Sequence, residues 1–149
     1  MQGERGEVRG RRRGVVGVAV RDGRLLVIRR SQYVEAPGAY CFPGGAVDAG
    51  ETEEDALRRE FQEELNATVR PLRFLWRAVT SWDVDLSWWL VSLESEHEMA
   101  PHPREVESIH WFTPQELRAL PKLLESNRQF LEAAASGAFD VAGVDFSGK

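Results

Sequence analysis

Residues 44 to 67 read GGAVDAGETEEDALRREFQEELNA, and eight of these positions carry carboxylates. On a helix, positions i, i+3 and i+4 share a face. Glu60, Glu63 and Glu64 have that spacing, and Leu57, Phe61 and Leu65 form an apolar stripe beside them. The helix can therefore pack on a sheet while its acidic edge stays along a cleft.

Three carboxylates this close repel one another unless a proton or a cation intervenes. Arg59 stands four residues before Glu63 and can pair with it, but one arginine does not neutralise the group. A hard divalent cation does so better. Mg²⁺ is the natural candidate, because it binds through a few carboxylates, retained waters and substrate phosphates. Gly44-Gly45 allow a backbone carbonyl to turn toward the same cation, and Glu51 closes the loop before the helix. A solvent-facing helix laced with Arg–Glu pairs is the ordinary source of such a charge run. It has no need of the glycine loop.

The elements around this helix follow from local signals. Runs 14–20 and 24–30 are β-rich and joined by Arg21-Asp22-Gly23, which predicts a hairpin. Residues 31–38 read as a loop, and 39–42 as a short strand halted by Pro43-Gly44-Gly45. Thr52 caps the acidic helix, with Asp55 completing a variant capping box, and Asn66 supplies a left-handed stop. Strands are expected at about 67–79, 86–93 and 108–112. Thr113-Pro114-Gln115-Glu116 then starts one or two helices that run to about Ser136. This order predicts one mixed α/β domain over 14–140. Residues 1–13 read as a flexible basic arm, carrying Arg9, Arg11, Arg12 and Arg13, and 141–149 as a disordered tail.

The whole chain has 149 residues and a formal net charge of -5, which disfavours general phosphate binding and hence stable nucleic-acid binding. One cysteine, Cys41, excludes an internal disulfide and fits a reducing compartment. With no apolar run long enough to span a bilayer and no secretory signal before the first strand, the expectation is a cytoplasmic protein without membrane contact. Cys41 reads as buried filler, and His97, His102 and His110 lack metal-ligand spacing.

The stretch from Gly45 resembles the Nudix box, G-x5-E-x7-R-E-U-x-E-E-x-G-U with U apolar. Gly45, Glu51, Arg59-Glu60, Phe61, Glu63-Glu64 and Ala67 fall on its positions, and Asn66 stands where the family has glycine. The preceding Phe42-Pro43-Gly44 and the later His110-Trp111-Phe112 are similar to the family too. The resemblance implies an α/β/α sandwich with a mixed β-sheet and a loop–helix–loop catalytic motif. It further implies hydrolysis of a diphosphate linkage in a nucleoside diphosphate joined to another moiety, a nucleoside triphosphate or other nucleotide derivative. Glu60, Glu63 and Glu64 would ligate Mg²⁺, or Mn²⁺ in its place, helped by the carbonyl of Gly44. Arg59 would hold these carboxylates, and Glu51 would act behind them. The general base would be Glu64 in the box or a glutamate on a later loop, Glu105 ahead of Glu107. A homodimer is a further expectation from the family.

Substrate contacts are expected from Arg29 or Arg30, which alternation sends to opposite faces, and from Tyr40 or Tyr33 beside the box. One or two of Trp76, Trp82, Trp88, Trp89 and Trp111 would stack on a base, and the adjacent pair 88 and 89 must face opposite sides. The run LLVIRRSQYVEAPGAYCFPGG also resembles the signature of coenzyme A-cleaving relatives, but Val34 stands where they carry arginine and Val27 where they carry threonine. A Nudix-fold sensor without turnover is the other alternative; the intact set of box glutamates argues against it. An isoprenoid diphosphate isomerase would need a cysteine setting that Cys41 does not resemble.

Overall fold

The computed structural model describes residues 12–94 and 99–147. Its strands are β1 (Arg12–Val18), β2 (Val20–Arg21), β3 (Arg24–Arg30), β4 (Tyr40–Cys41), β5 (Gly44–Ala46), β6 (Val69–Val79), β7 (Val84–Leu93) and β8 (Val106–Phe112). The helices are α1 (Glu53–Leu65), α2 (Pro114–Arg118) and α3 (Glu125–Ala135). One sheet has the order β5-β1-β7-β6, with β1 and β7 parallel and the other pairs antiparallel. The second is antiparallel, with β2 and β4 pairing along β3 and β8 also pairing with β3.

Alternation along the strands divides the core into two layers. Val15, Leu26, Ile28 and Val91 face α1 and meet Leu57, Phe61 and Leu65; Val16, Leu25, Val27 and Trp88 face α2 and α3 and meet Leu117, Phe130 and Leu131. This is the expected α/β/α sandwich. Each fully buried large side chain contributes about 1.5–3 kcal/mol, and Trp88 stacked on Phe130 at 4.2 Å sits at the centre of one layer. Gly17 lets α1 lie close on β1: a Cβ there would stand 2.4 Å from the Phe61 ring.

Three expectations need correction. The hairpin closes through Asp22 and Gly23 at positive φ, as the sequence predicts, but its pairing ends where Leu26 N–H donates to the Ala19 carbonyl. Beyond Ala19 the chain crosses into the other sheet, so 12–18 and 24–30 are not partners; β1 is shared with β5 and β7 instead. The short strand does stop before Pro43, but Gly44-Gly45 do not prolong the break, because Gly44–Ala46 forms β5 against β1 in the other sheet. Finally, residues 141–147 are not a frayed tail: Val141 and Phe146 are buried, Phe146 edge-on to Phe130 and Phe139. Burial of these two side chains fixes the segment. Of the basic arm, Arg12 and Arg13 open β1, while Arg9 and Arg11 lie outside the described residues, as does His97. Among the described residues no helix is long and apolar enough to cross a membrane.

Candidate active site

Helix α1 is set at both ends by local chemistry. Thr52 Oγ1 accepts from Asp55 N–H at 3.1 Å, but the Asp55 side chain pairs with Arg58 at 3.0 Å, so only half of the capping box forms. Asn66 takes the left-handed conformation (φ 52, ψ 40), the role glycine fills elsewhere. The terminal carbonyls of Glu64 and Leu65 accept from His102 N–H and Ala100 N–H, both at 2.8 Å, which ties loop 99–105 to the helix end.

Glu53 anchors the first turn to the sheet. Its carboxylate accepts from Trp89 Nε1 at 2.9 Å, Ser87 Oγ at 3.0 Å, Arg77 at 3.2 Å and Arg13 at 3.3 Å. Burial works to raise its proton affinity, but the hydrogen bonds from Trp89, Ser87 and Arg13 prevail and lower it. The sequence gives no sign of this role, since Trp89 lies 36 positions away.

Arg59 is the hub of the acidic edge. Its Nε and Nη2 donate to the two Glu51 oxygens at 2.7 and 2.9 Å, its Nη1 to Glu60 at 3.0 Å, and its Nη2 to the Ala46 carbonyl at 2.8 Å. The pairing with Glu63 is longer, 3.4 Å, and the Glu63 side chain is 53% exposed. The Arg59 fork holds Glu51 ionised down to about 2.

Glu60 and Glu64 lie deeper. Burial first, then the Glu63 and Glu105 charges, raises Glu60 to about 7 in spite of Arg59. Burial and then the Glu60 charge raise Glu64 well above the carboxylate range, with Glu105 adding to it. The Glu60 carboxylate packs against Gly45, where a Cβ would stand 2.3 Å from its Cδ and would push the side chain aside. Gly44 meets Glu64 through its N–H, which donates at 3.3 Å.

A cavity of about 270 Å³ opens beside these groups, lined by Glu64, Gly45, Arg30, Cys41, Trp82 and Asn127 among others. Alternation brings Arg30 to this cavity. Arg29 goes to the other face, where its Nε donates to the Gly38 carbonyl, its guanidinium lies 5.6 Å from the Tyr40 ring and it pairs with Glu107 at 3.8 Å. Tyr40 packs edge-on to His110 and Phe112. Arg29, Tyr40 and Glu107 thus gather on the face opposite Arg30, and Glu105 is the loop carboxylate whose charge reaches Glu60 and Glu64. Burial pushes the Cys41 thiol up to about 11, which makes it a poor nucleophile although it lines the cavity wall. Trp88 is core, Trp89 holds Glu53, and Trp82, 61% exposed, is the tryptophan at the cavity.

The donor set suits a hard cation. Two part-buried carboxylates repel each other, balanced only in part by Arg59 beside Glu60 and Arg30 near Glu64, and their oxygens are hard donors. Among the described residues no three His, Cys, Asp or Glu side chains are already gathered into a chelating group. Glu63, the third carboxylate of the box, is exposed and paired with Arg59.

The sandwich, the glycine turn and the part-buried acidic helix edge define an α/β domain with a loop–helix–loop acidic motif. The chain belongs to the Nudix family of hydrolases: the NUDIX domain profile matches residues 9–134. It is 30% identical over 121 residues to a NAD-capped RNA hydrolase NudC of Stutzerimonas stutzeri, covering 79% of this chain and 42% of that protein. It is 35% identical over 109 residues to a Nudix hydrolase of Deinococcus radiodurans, covering 65% and 60%. The chain thus spans less than two thirds of each relative. A MutT Nudix hydrolase structure from Burkholderia pseudomallei matches with a TM-score of 0.65 at 29% identity, over 81% of this chain and 95% of that one.

Proposed function

We propose that this domain hydrolyses a diphosphate linkage in a nucleoside diphosphate derivative, with Mg²⁺ or Mn²⁺ held by Glu60, Glu63 and Glu64. The observation that carries the reading is the partial burial of Glu60 and Glu64 on one helix edge, with Glu64 on the wall of a cavity, at a cost that a bound cation would offset. When bound, the cation screens phosphate charge and makes water a better nucleophile. The chain's own groups do the rest. Arg59 fixes Glu51 and Glu60, Arg30 faces the phosphates from the cavity wall, and Glu64 or Glu105 accepts the proton of the attacking water.

Trp82 supplies the recognition surface. It stands at the tip of the β6–β7 hairpin, where Thr80 Oγ1 accepts from Trp82 N–H and Val84 N–H at 3.2 and 3.1 Å and stiffens the turn. Stacking a base on an aromatic ring is worth about 1–3 kcal/mol. Trp82→Ala is accordingly expected to raise KM roughly 5- to 100-fold with little change in kcat. An unchanged KM would remove Trp82 from the site.

A screen of nucleoside triphosphates, nucleotide sugars, dinucleoside polyphosphates, NAD and coenzyme A, with each metal and assayed for phosphate-containing products, tests the reading. Mg²⁺- or Mn²⁺-dependent cleavage of a nucleotide is expected. Metal-independent cleavage, or tight nucleotide binding without turnover, rejects it in favour of a different chemistry or a sensor. NAD is included because the Stutzerimonas stutzeri relative is named a NAD-capped RNA hydrolase; coenzyme A, because of the run from Leu25 to Gly45 that resembles the signature of coenzyme A-cleaving relatives.

A further inference from the structure

We propose that Ser31 is the residue that positions Glu105 beside the end of α1 that carries Glu60 and Glu64. The inference rests on the reading of Glu105 as part of the hydrolytic site and adds to it a residue outside the box.

Ser31 follows β3 directly and is 4% exposed, one of three buried polar residues among those described. The other two have evident duties: Ser87 holds Glu53, and Asn127 accepts from Phe42 N–H at 2.8 Å. Ser31 spends its hydrogen bonds on a loop far away in sequence. Its Oγ donates to the Arg104 carbonyl at 2.6 Å and accepts from Tyr33 N–H at 3.1 Å, while its own N–H donates to the Glu105 carbonyl at 3.1 Å.

The carbonyls of Arg104 and Glu105 belong to the two peptide groups that flank the Glu105 Cα. Both are tied to the same serine, so the backbone cannot turn about that Cα without breaking one of them. The strand pairing next to it shifts register between Arg29 and Arg30, a bulge of the kind that re-aims side chains beside functional sites. The rest of the loop is tied to the other partner: His102 N–H donates to Glu64 O, and Glu105 N–H to His102 O. Glu105 is thus fixed both to the end of β3 and to the end of α1, and its charge is felt by Glu60 and Glu64. A loop in need only of stability would not require both ties to converge on one acidic residue.

The test is a double-mutant cycle of Ser31→Ala and Glu105→Gln, using the compound turned over fastest in the screen above. Misplacing a catalytic group by about 1 Å costs up to roughly 100-fold, so Ser31→Ala is expected to lower kcat at least 10-fold while KM and the melting temperature barely move. In the Glu105→Gln background the same change is expected to have no further effect. Ser31→Thr keeps the hydroxyl and should retain turnover, whereas Ser31→Val, the same shape without it, should not; this pair serves if the alanine variant folds poorly. Amide exchange in residues 100–106 is expected to quicken in Ser31→Ala but not in Glu105→Gln. Equal fold losses from Ser31→Ala in both backgrounds would overturn the role of Ser31 and leave Glu105 standing. Wild-type turnover of Glu105→Gln would overturn the reading of Glu105 and the proposal with it.

Discussion

Glu64→Gln is expected to lower kcat by roughly 10²–10⁴-fold, the range that a positioned acid–base group supplies, while the metal-free protein melts at the same temperature or slightly higher. The two halves of this expectation come from the same geometry. Glutamine keeps an oxygen to accept from Gly44 N–H, so the 3.3 Å contact survives. What it removes is a carboxylate that burial and the Glu60 charge already oppose. Losing that charge relieves repulsion in the empty site, and in the loaded one it deprives the metal of an oxygen anion and the water of a proton acceptor. Steady-state kinetics beside thermal melts with and without Mg²⁺ check both halves. The metal-induced rise in melting temperature should shrink in the variant. Wild-type turnover would defeat the assignment; a large fall in metal-free stability would show that the carboxylate serves the fold.

What could be read from the sequence was what neighbours in sequence decide. Helix α1 declared itself because its cap, its apolar stripe and its acidic edge all recur within four residues of one another, and a left-handed Asn66 needs no distant partner. The gathering of Glu51 and Glu60 about Arg59 was legible for the same reason. The failures are all questions of which distant segment meets which. Alternation sends Arg29 and Arg30 apart, but only the pairing of β3 with β4 and β8 decides that Arg30 is the one at the cavity. The bond of Ser31 to a carbonyl 73 positions away has no local signature. Phe146 looked like a tail residue because its burial depends on rings at Phe130 and Phe139. Trp82 differs from the other tryptophans only in standing on a turn, a position whose value appears once the hairpin is folded over the cavity.

Arg59→Met is expected to cost about 2–3 kcal/mol of stability at pH 8, less than the full cost of orphaning a buried pair because the side chain is 27% exposed, and to lower turnover by about 100-fold or more. The stem of methionine keeps the packing, so the loss reports the guanidinium. The pH dependence separates its two main partners. Glu51, held down to about 2 by Arg59, contributes stability that is present above its ordinary 4.5 and disappears as pH falls through 2. In the variant that contribution is missing at pH 5 and pH 8 alike. Glu60 has the opposite sign. Raised to about 7, it contributes stability below 4.5 that is lost as pH rises toward 7, because the folded protein keeps a proton the unfolded chain releases. Arg59 lowers Glu60, so removing it carries the loss to still higher pH. At pH 5 Glu60 is protonated in both folded proteins and the variant suffers little from it; at pH 8 it suffers fully. The gap between wild type and variant should therefore widen from pH 5 to pH 8 in denaturant titrations without metal. A gap that stays constant would mean that Arg59 serves Glu51 alone and that Glu60 meets its repulsion unaided.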